Sequence, residues 1–280
     1  MTDYSSEQHS ILITGCSSGI GLCLARALHL EGYRVFATAR QDEDVALLKA
    51  EGLEAFKLDL SDSANIQDVA QRVLQQCEQQ LYALINNGAY GQMGAVEDLN
   101  REALRAQFEC NVFGTQELSN AVLPAMRAAE RGRIIHISSV LGLVCMPMRG
   151  AYCASKFALE ALGDNLRLEL AGSGVKVSLI EPGPVVSKFR ENALKTLHNA
   201  VDIQNSAHTD RYQQEIARLQ NPGPNSRFTL PPEAVLQKVQ HALRSDRPRA
   251  RYFVTTPTWI FATLRRLLPT KALDALLMRG

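Results

Sequence analysis

Two residues frame the chemistry that this chain can do. In the stretch RGAYCASKFALEAL (149–162), Tyr152 and Lys156 stand four positions apart. On a helix that spacing puts them on one face, a turn from each other. An isolated phenol titrates near ~10, too high for ready proton transfer at neutral pH. A nearby ammonium favours the phenolate and lowers that value. The spacing therefore predicts an acid–base pair. The small residues Ala151, Ala154 and Ser155 let the helix that carries it approach its neighbours. The plain alternative is a core phenol beside a solvated amine.

The stretch TGCSSGIG (14–21) supplies the second signal. It follows an apolar run and opens an amphipathic one. Gly15, Gly19 and Gly21 allow a sharp turn and a close backbone approach to a pyrophosphate. The helix amino end adds unpaired N–H groups and a positive dipole. At the end of the second apolar run the chain reads FATAR. Enzymes that use NAD place an acid there for the ribose 2′-hydroxyl. Ala39 holds that place and Arg40 follows. Arg40 can make charge-assisted bonds to a 2′-phosphate, and Ser17 can donate one more, so NADP(H) is the expected cofactor. The alternative for Arg40 is a solvated turn residue ahead of QDEDV.

These residues need a scaffold, and the chain is patterned to build one. Short β-branched runs lie at 10–14, 33–38, 54–58, 82–86, 133–138 and 175–180, with a seventh at 251–255. Helical patterns near 19–31, 42–51, 63–79, 101–128 and 151–171 alternate with them. This order predicts an α/β fold: a doubly wound parallel sheet of the Rossmann type, about seven strands, helices on both faces. Ligands then bind at the carboxyl ends of the strands. No internal repeat or linker divides the chain, so 1–280 reads as a single domain. The polar segment 188–232 breaks the rhythm and is expected to form a substrate lid.

Composition narrows the classes. The chain has 280 residues, 46% hydrophobic and 21% charged, with a net charge of +1. No strong field favours nucleic acid. The amino end has no basic, apolar leader, and the longest uncharged run is too short and polar to span a bilayer. A cytoplasmic protein is expected. The six cysteines are irregularly spaced and read as reduced thiols. The six histidines form no metal motif, so no metal site is expected.

TGCSSGIG together with Tyr152-x-x-x-Lys156 resembles the short-chain dehydrogenase/reductase family. The likeness is close over roughly 10–190 and leans toward the hydroxysteroid and retinol dehydrogenase branch. With SLIEPGP and the RRLLP tail, the chain is similar to bacterial NADP-dependent aldehyde reductases. The resemblance implies a proton-donating Tyr152 and a Lys156 that also holds the nicotinamide ribose. It makes Ser139, thirteen residues before Tyr152, the serine that binds the substrate oxygen; Ser138 is one position off. Asn111 would carry a water-linked proton relay behind the lysine. Asp59 would contact the adenine amine. Ser18, Ile20, Leu60, Asn87, Gly88, Pro182, Gly183, Val185 and Ser187 complete the expected cofactor contacts. One departure is plain: NNGAY (86–90) exchanges Gly88 and Ala89 relative to the family's N-N-A-G. A small backbone shift with retained binding is expected there.

The family reading implies hydride transfer between NADP(H) and a hydrophobic aldehyde or ketone, in a homodimer or homotetramer built on the helices near 101–128 and 151–171. Alternatives are a non-catalytic NADP(H)-binding sensor or scaffold, and a steroid- or retinoid-type dehydrogenase working oxidatively. Leu141, Val144, Met146 and Met148 are candidates for an apolar substrate slot, and Phe189, Leu194 and Tyr212 for the lid. No fixed charge for a substrate carboxylate stands out. The basic and apolar tail near 257–280 is open to three readings: a membrane-surface helix, a cover over the substrate entrance or a subunit contact, or a helix packed on its own domain.

Overall fold

The computed structural model describes residues 9–221 and 227–278. The chain starts in the middle of its sheet. β1 (Ser10–Ile13) leads through α1 (Gly19–Leu30) to β2 (Arg34–Ala39), and through α2 (Asp42–Ala50) to β3 (Glu54–Lys57). After α3 (Ser63–Gln76) it crosses back to β4 (Leu81–Asn86) on the other side of β1. It then winds outward through β5 (Gly132–Ile137), β6 (Val175–Glu181) and β7 (Arg251–Phe253). All seven strands are parallel, in the order β3-β2-β1-β4-β5-β6-β7. This is the expected doubly wound α/β fold. The reversal of winding between β1 and β4 opens a crevice at their carboxyl ends.

Strand side chains alternate, and the alternation builds two cores. Ile11 and Ile13 face Leu24 and Leu28 of α1, Leu48 of α2, and Val235 and Val239 of α9 (Glu233–Arg244). Leu12 and Phe36 point the other way, toward Ile66 and Val69 of α3 and Leu118 and Val122 of the fifth helix. With helices on both faces, the strands read as apolar runs throughout.

The helix expected over 101–128 is broken. It divides into α4 (Arg101–Phe108), a π turn at Glu109–Gly114, and α5 (Thr115–Ala128). Asn111 sits in the widened turn. Gly114 packs so closely on the loop after β3 that a methyl group would overlap the Leu60 carbonyl. α6 (Gly150–Glu169) follows β5 and carries Tyr152 and Lys156. The segment 188–232 is more helical than its sequence suggests, with α7 (Phe189–Ala200) and α8 (Thr209–Gln220); residues 222–226 of it lie outside the described residues. The seventh strand ends at Phe253, short of the expected 255, because Thr255 and Pro257 turn the chain into α10 (Thr256–Leu267). α11 (Thr270–Leu277) closes the described chain. Among the described residues, no helix is long and apolar enough to cross a membrane.

Arg251 on β7 ties three elements together. Its guanidinium bonds Asp164 at 2.7 Å and Glu160 at 2.9 Å on α6, and lies 3.0 Å from Glu181 at the end of β6. Glu181 is wholly buried and Glu160 nearly so. Burial pushes Glu181 well above the ordinary carboxylate range, and the neighbouring Glu160 charge adds to the rise while Arg251 opposes it. Burial likewise raises Glu160.

Two outcomes follow for stability. Gly114→Ala should cost about 3 kcal/mol in urea unfolding, the upper range for an overpacked site, since backbone and not a flexible side chain blocks the methyl. A loss under about 1 kcal/mol would mean that the 60s loop moves aside freely. For Glu181 the folded value is raised, so its contribution is fully present below the ordinary carboxylate value and is lost as pH rises through the raised one. Glu181→Gln does not titrate. Its Tm relative to wild type should therefore climb between about pH 5 and pH 9, and a constant difference would contradict the assignment.

Candidate active site

A cavity of about 550 Å³ lies at the carboxyl ends of the central strands, reaching from the glycine loop to Tyr152. Its floor is set by the approach of two loops. Gly15 has φ +70°, and a Cβ there would stand 2.7 Å from the Gly88 Cα. Gly19 has φ +55°, and a Cβ there would stand 2.9 Å from the Ser187 Cβ. Both conformations and both approaches need glycine. Gly21 packs beneath the loop, where a methyl would overlap the Gly15 carbonyl. The Thr14 hydroxyl accepts the backbone N–H groups of Asn87 at 2.9 Å and Gly88 at 2.7 Å. The Asn87 amide donates to the carbonyls of Thr14 and Gly15. α1 starts at Gly19, and its N-cap Ser18 makes no side-chain cap bond. Ser17, Ser18, Gly19 and Ile20 line the cavity at that helix end. A glycine cradle under an uncapped helix amino end fits a pyrophosphate.

Of the exchanged pair, Ala89 is exposed and lines the cavity. Gly88 is the tight position, where a Cβ would stand 3.1 Å from both Leu60 and Thr14 side-chain atoms. Asp59 and Leu60 lie behind the wall and do not line the cavity. The Asp59 carboxylate accepts from the Ser61 backbone at 2.9 Å and hydroxyl at 2.6 Å, and its own N–H donates to Asn65. Arg40 stands exposed at the end of β2, close enough for its charge to act on Tyr90 and Cys110. Ala39 is buried.

At the other end, Tyr152, Lys156 and Ser139 meet on the wall. Tyr152 and Lys156 are 8% and 3% exposed. The Lys156 ammonium donates to the Ile137 carbonyl at 2.9 Å and lies 5.7 Å from the Tyr152 ring centre. The expected lowering of the tyrosine by the lysine is not what dominates. Burial drives the Tyr152 phenol above its ordinary value, and the hydrogen bond from Ser139 only partly offsets it. The same dryness pushes Lys156 down to about 8. Tyr152 is therefore held as the protonated acid here. Ser139 faces Tyr152, while Ser138 lies against Glu160 under Gly142, as strand alternation requires. Asn111 is held away from the wall. Its amide accepts from the Tyr90 N–H at 3.1 Å and donates to the Tyr90 carbonyl and the Ser155 hydroxyl.

The loop after β6 closes the wall. The Pro182 carbonyl accepts from Val140 at 2.8 Å, and Gly183 packs on Thr255 and Thr258 with no room for a side chain. Val185 pairs with Leu230, and the Ser187 hydroxyl accepts from Phe189 N–H. Leu141 and Met146 line the slot as expected. Val144 and Met148 are buried in the core instead, Met148 beside Tyr212. Phe189 lines the slot with its ring 5.2 Å from Tyr152, and Leu194 packs within the α7–α8 core. Tyr212 is not on the wall. It is wholly buried, donating to Asp98 at 2.7 Å and accepting from Ala95 N–H at 2.8 Å, and so anchors α8. In the tail, Pro257 and Phe261 of α10 line the slot, which places that helix over the substrate side.

Sequence reading missed charge. Arg149 and Arg218 also line the cavity, contrary to the expectation that no fixed charge serves a carboxylate. Arg149 was visible three residues before Tyr152, but its burial depends on α8 folding over it. Arg218 sits on a polar helix whose facing could not be read from its spacing.

The model of the family described as short chain dehydrogenase matches residues 9–198. "Uncharacterized oxidoreductase YbbO" of Escherichia coli K12 is 42% identical over 270 residues, covering 96% of this chain and 94% of that protein. Human "17-beta-hydroxysteroid dehydrogenase type 1" is 35% identical, covering 88% and 77%. A short-chain dehydrogenase structure from Streptomyces avermitilis superposes with a TM-score of 0.75 at 28% identity, covering 97% of this chain and 94% of that one. The chain thus belongs to the short-chain dehydrogenase/reductase family and is an NAD(P)-dependent oxidoreductase.

Proposed function

We propose that this protein is an NADP(H)-dependent reductase of hydrophobic aldehydes and ketones, with Tyr152 as the proton donor. The observation that carries the reading is the dry constellation of Ser139, Tyr152 and Lys156 on the wall of the cavity that also holds the glycine cradle. Bound in that cradle, NADPH supplies the hydride. Gly15, Ser17, Ser18, Gly19 and Ile20 would hold its phosphates, with Gly21 beneath, and Asn87, Gly88, Pro182, Gly183, Val185 and Ser187 would bind the rest of it. Asp59 and Leu60 back the adenine end.

The carbonyl oxygen of a substrate accepts hydrogen bonds from Ser139 and Tyr152, which polarises it. The phenol then releases its proton to that oxygen as the alcohol forms, and the phenolate is left beside Lys156. The ammonium, now on the Ile137 carbonyl, offsets that charge and serves the cofactor ribose. Asn111, fixed by Tyr90 and Ser155, positions the relay that returns the proton. α7, α8 and α10 act as the lid, since Phe189, Arg218 and Phe261 line the cavity from them. The apolar slot of Leu141, Met146, Phe189 and Phe261 supports a hydrophobic substrate. Exposed Phe113 and Leu168 support a homodimer or homotetramer through the helices over 101–128 and 151–171.

Tyr152→Phe should leave NADPH affinity within about twofold and lower kcat by at least about a hundredfold, measured by nicotinamide absorbance with an aldehyde panel. Near-normal turnover would remove Tyr152 from the reaction, and a panel with no reduction at all would favour the non-catalytic sensor. For the cofactor, Arg40→Ala should weaken NADPH about ten- to a hundredfold, the worth of ~1.5–3 kcal/mol for a charged hydrogen bond. NADH binding should stay unchanged. Equal losses for both cofactors, or a wild-type preference for NADH, would overturn the assignment.

A further inference from the structure

We propose that the substrate slot takes carbonyl compounds carrying a carboxylate, and that Arg149 selects it; this rests on the carbonyl-reductase reading above. Arg149 is 8% exposed and lies on the cavity wall. It stands one turn before Tyr152, at the N-cap of α6. One terminal nitrogen donates to the Pro147 carbonyl at 2.9 Å. The other reaches Glu215 on α8 only at 3.4 Å. Glu215 is already engaged by Arg218, through Nε at 2.9 Å and Nη2 at 2.8 Å.

Glu215 thus lies within reach of both arginines and only loosely of Arg149, and the charge of Arg211 also presses on Arg149. Among the described residues, the cavity wall contains no aspartate or glutamate. A buried guanidinium without its own counter-ion is costly. The guanidinium fork matches a carboxylate with two parallel bonds. An anion in the slot supplies the missing charge. The apolar surfaces of Leu141, Met146, Phe189 and Phe261 then enclose the carbon chain between that anion and the carbonyl at Tyr152.

The rival is a latch: Arg149, Glu215 and Arg218 merely pin α8 to the start of α6. Substrate pairs separate the two. With NADPH, kcat/KM should be at least about tenfold higher for adipate semialdehyde than for its methyl ester, the difference lying in KM. Arg149→Met should abolish that preference while sparing hexanal and the ester. Glu215→Gln removes the competing carboxylate without removing either arginine, and it should strengthen the preference. A binding readout stands apart from turnover: hexanoate should raise the Tm of the wild type and leave that of Arg149→Met unchanged. NADPH affinity should be the same in wild type and Arg218→Met. Equal use of acid and ester, equal losses for every substrate, no hexanoate effect, or loss of NADPH affinity would each overturn the proposal. If hexanal, acid and ester are all inert while hexanoate still binds through Arg149, the reductase reading fails and the anion site stands.

Discussion

The site depends on how closely two strand ends can approach. At the switch point, the turn after β1 and the turn after β4 meet with Gly15 against Gly88. The Thr14 hydroxyl locks the contact by accepting two backbone N–H groups from the facing turn. The Asn87 N–H also donates to the Ile85 carbonyl at 3.1 Å, so the turn is held from both strands. The contact fixes where α1 begins, and so where its amino end points. β4 in turn pairs with β5, which leads into Ser139, in a register that sets Asn86 opposite His136. The cofactor cradle and the chemical end of the cavity are thus parts of one rigid edge, as the fold requires of a site that must align two reactants.

Dryness is the second organising condition. It holds Tyr152 protonated, pulls Lys156 down to about 8, and lifts Glu181 just before the Pro182–Gly183 loop. Each effect is a refusal of the interior to hold unpaired charge. The consequence is a neutral phenol beside a lysine that donates to a backbone carbonyl. Opposed shifts on neighbouring groups are a usual mark of acid–base sites. The carboxylates behind the wall differ in kind: Arg251 spans them, joining β7 to β6 and α6, and they brace the loop without facing the cavity.

Sequence patterns made the sheet and the glycine cradle legible because both rest on local rules. Strand runs alternate with helices, and glycines fall where φ is positive. Ser139 is preferred to Ser138 for its spacing to Tyr152, strand alternation saying only that one of the two should face the site. What was hidden depends on distant contacts. The π turn at Glu109–Gly114 brings Gly114 close against the loop at Leu60, a distant contact that no helical period reports. Tyr212 looked like a lid residue by composition, yet Asp98 and the Ala95 N–H draw it inward. Met148 looked like a slot residue, but a positive φ of 63° turns it into the α7–α8 core. The lowering of Tyr152 by Lys156 was inferred from spacing alone, and spacing carries no information about desolvation.

The position of Arg149 makes the same point from the chemical side. Its identity and its distance from Tyr152 along the chain were plain. Its meaning comes from α8, which brings Glu215 within reach of two guanidinium groups and helps to bury that of Arg149. An arginine at a helix start in water is a solvated cation of little consequence. Under a folded segment, at the rim of an apolar slot, the same side chain sets what charge the slot accepts. In this fold the strand ends position the reacting groups, while the segment added after β6 determines the surroundings in which a substrate meets them.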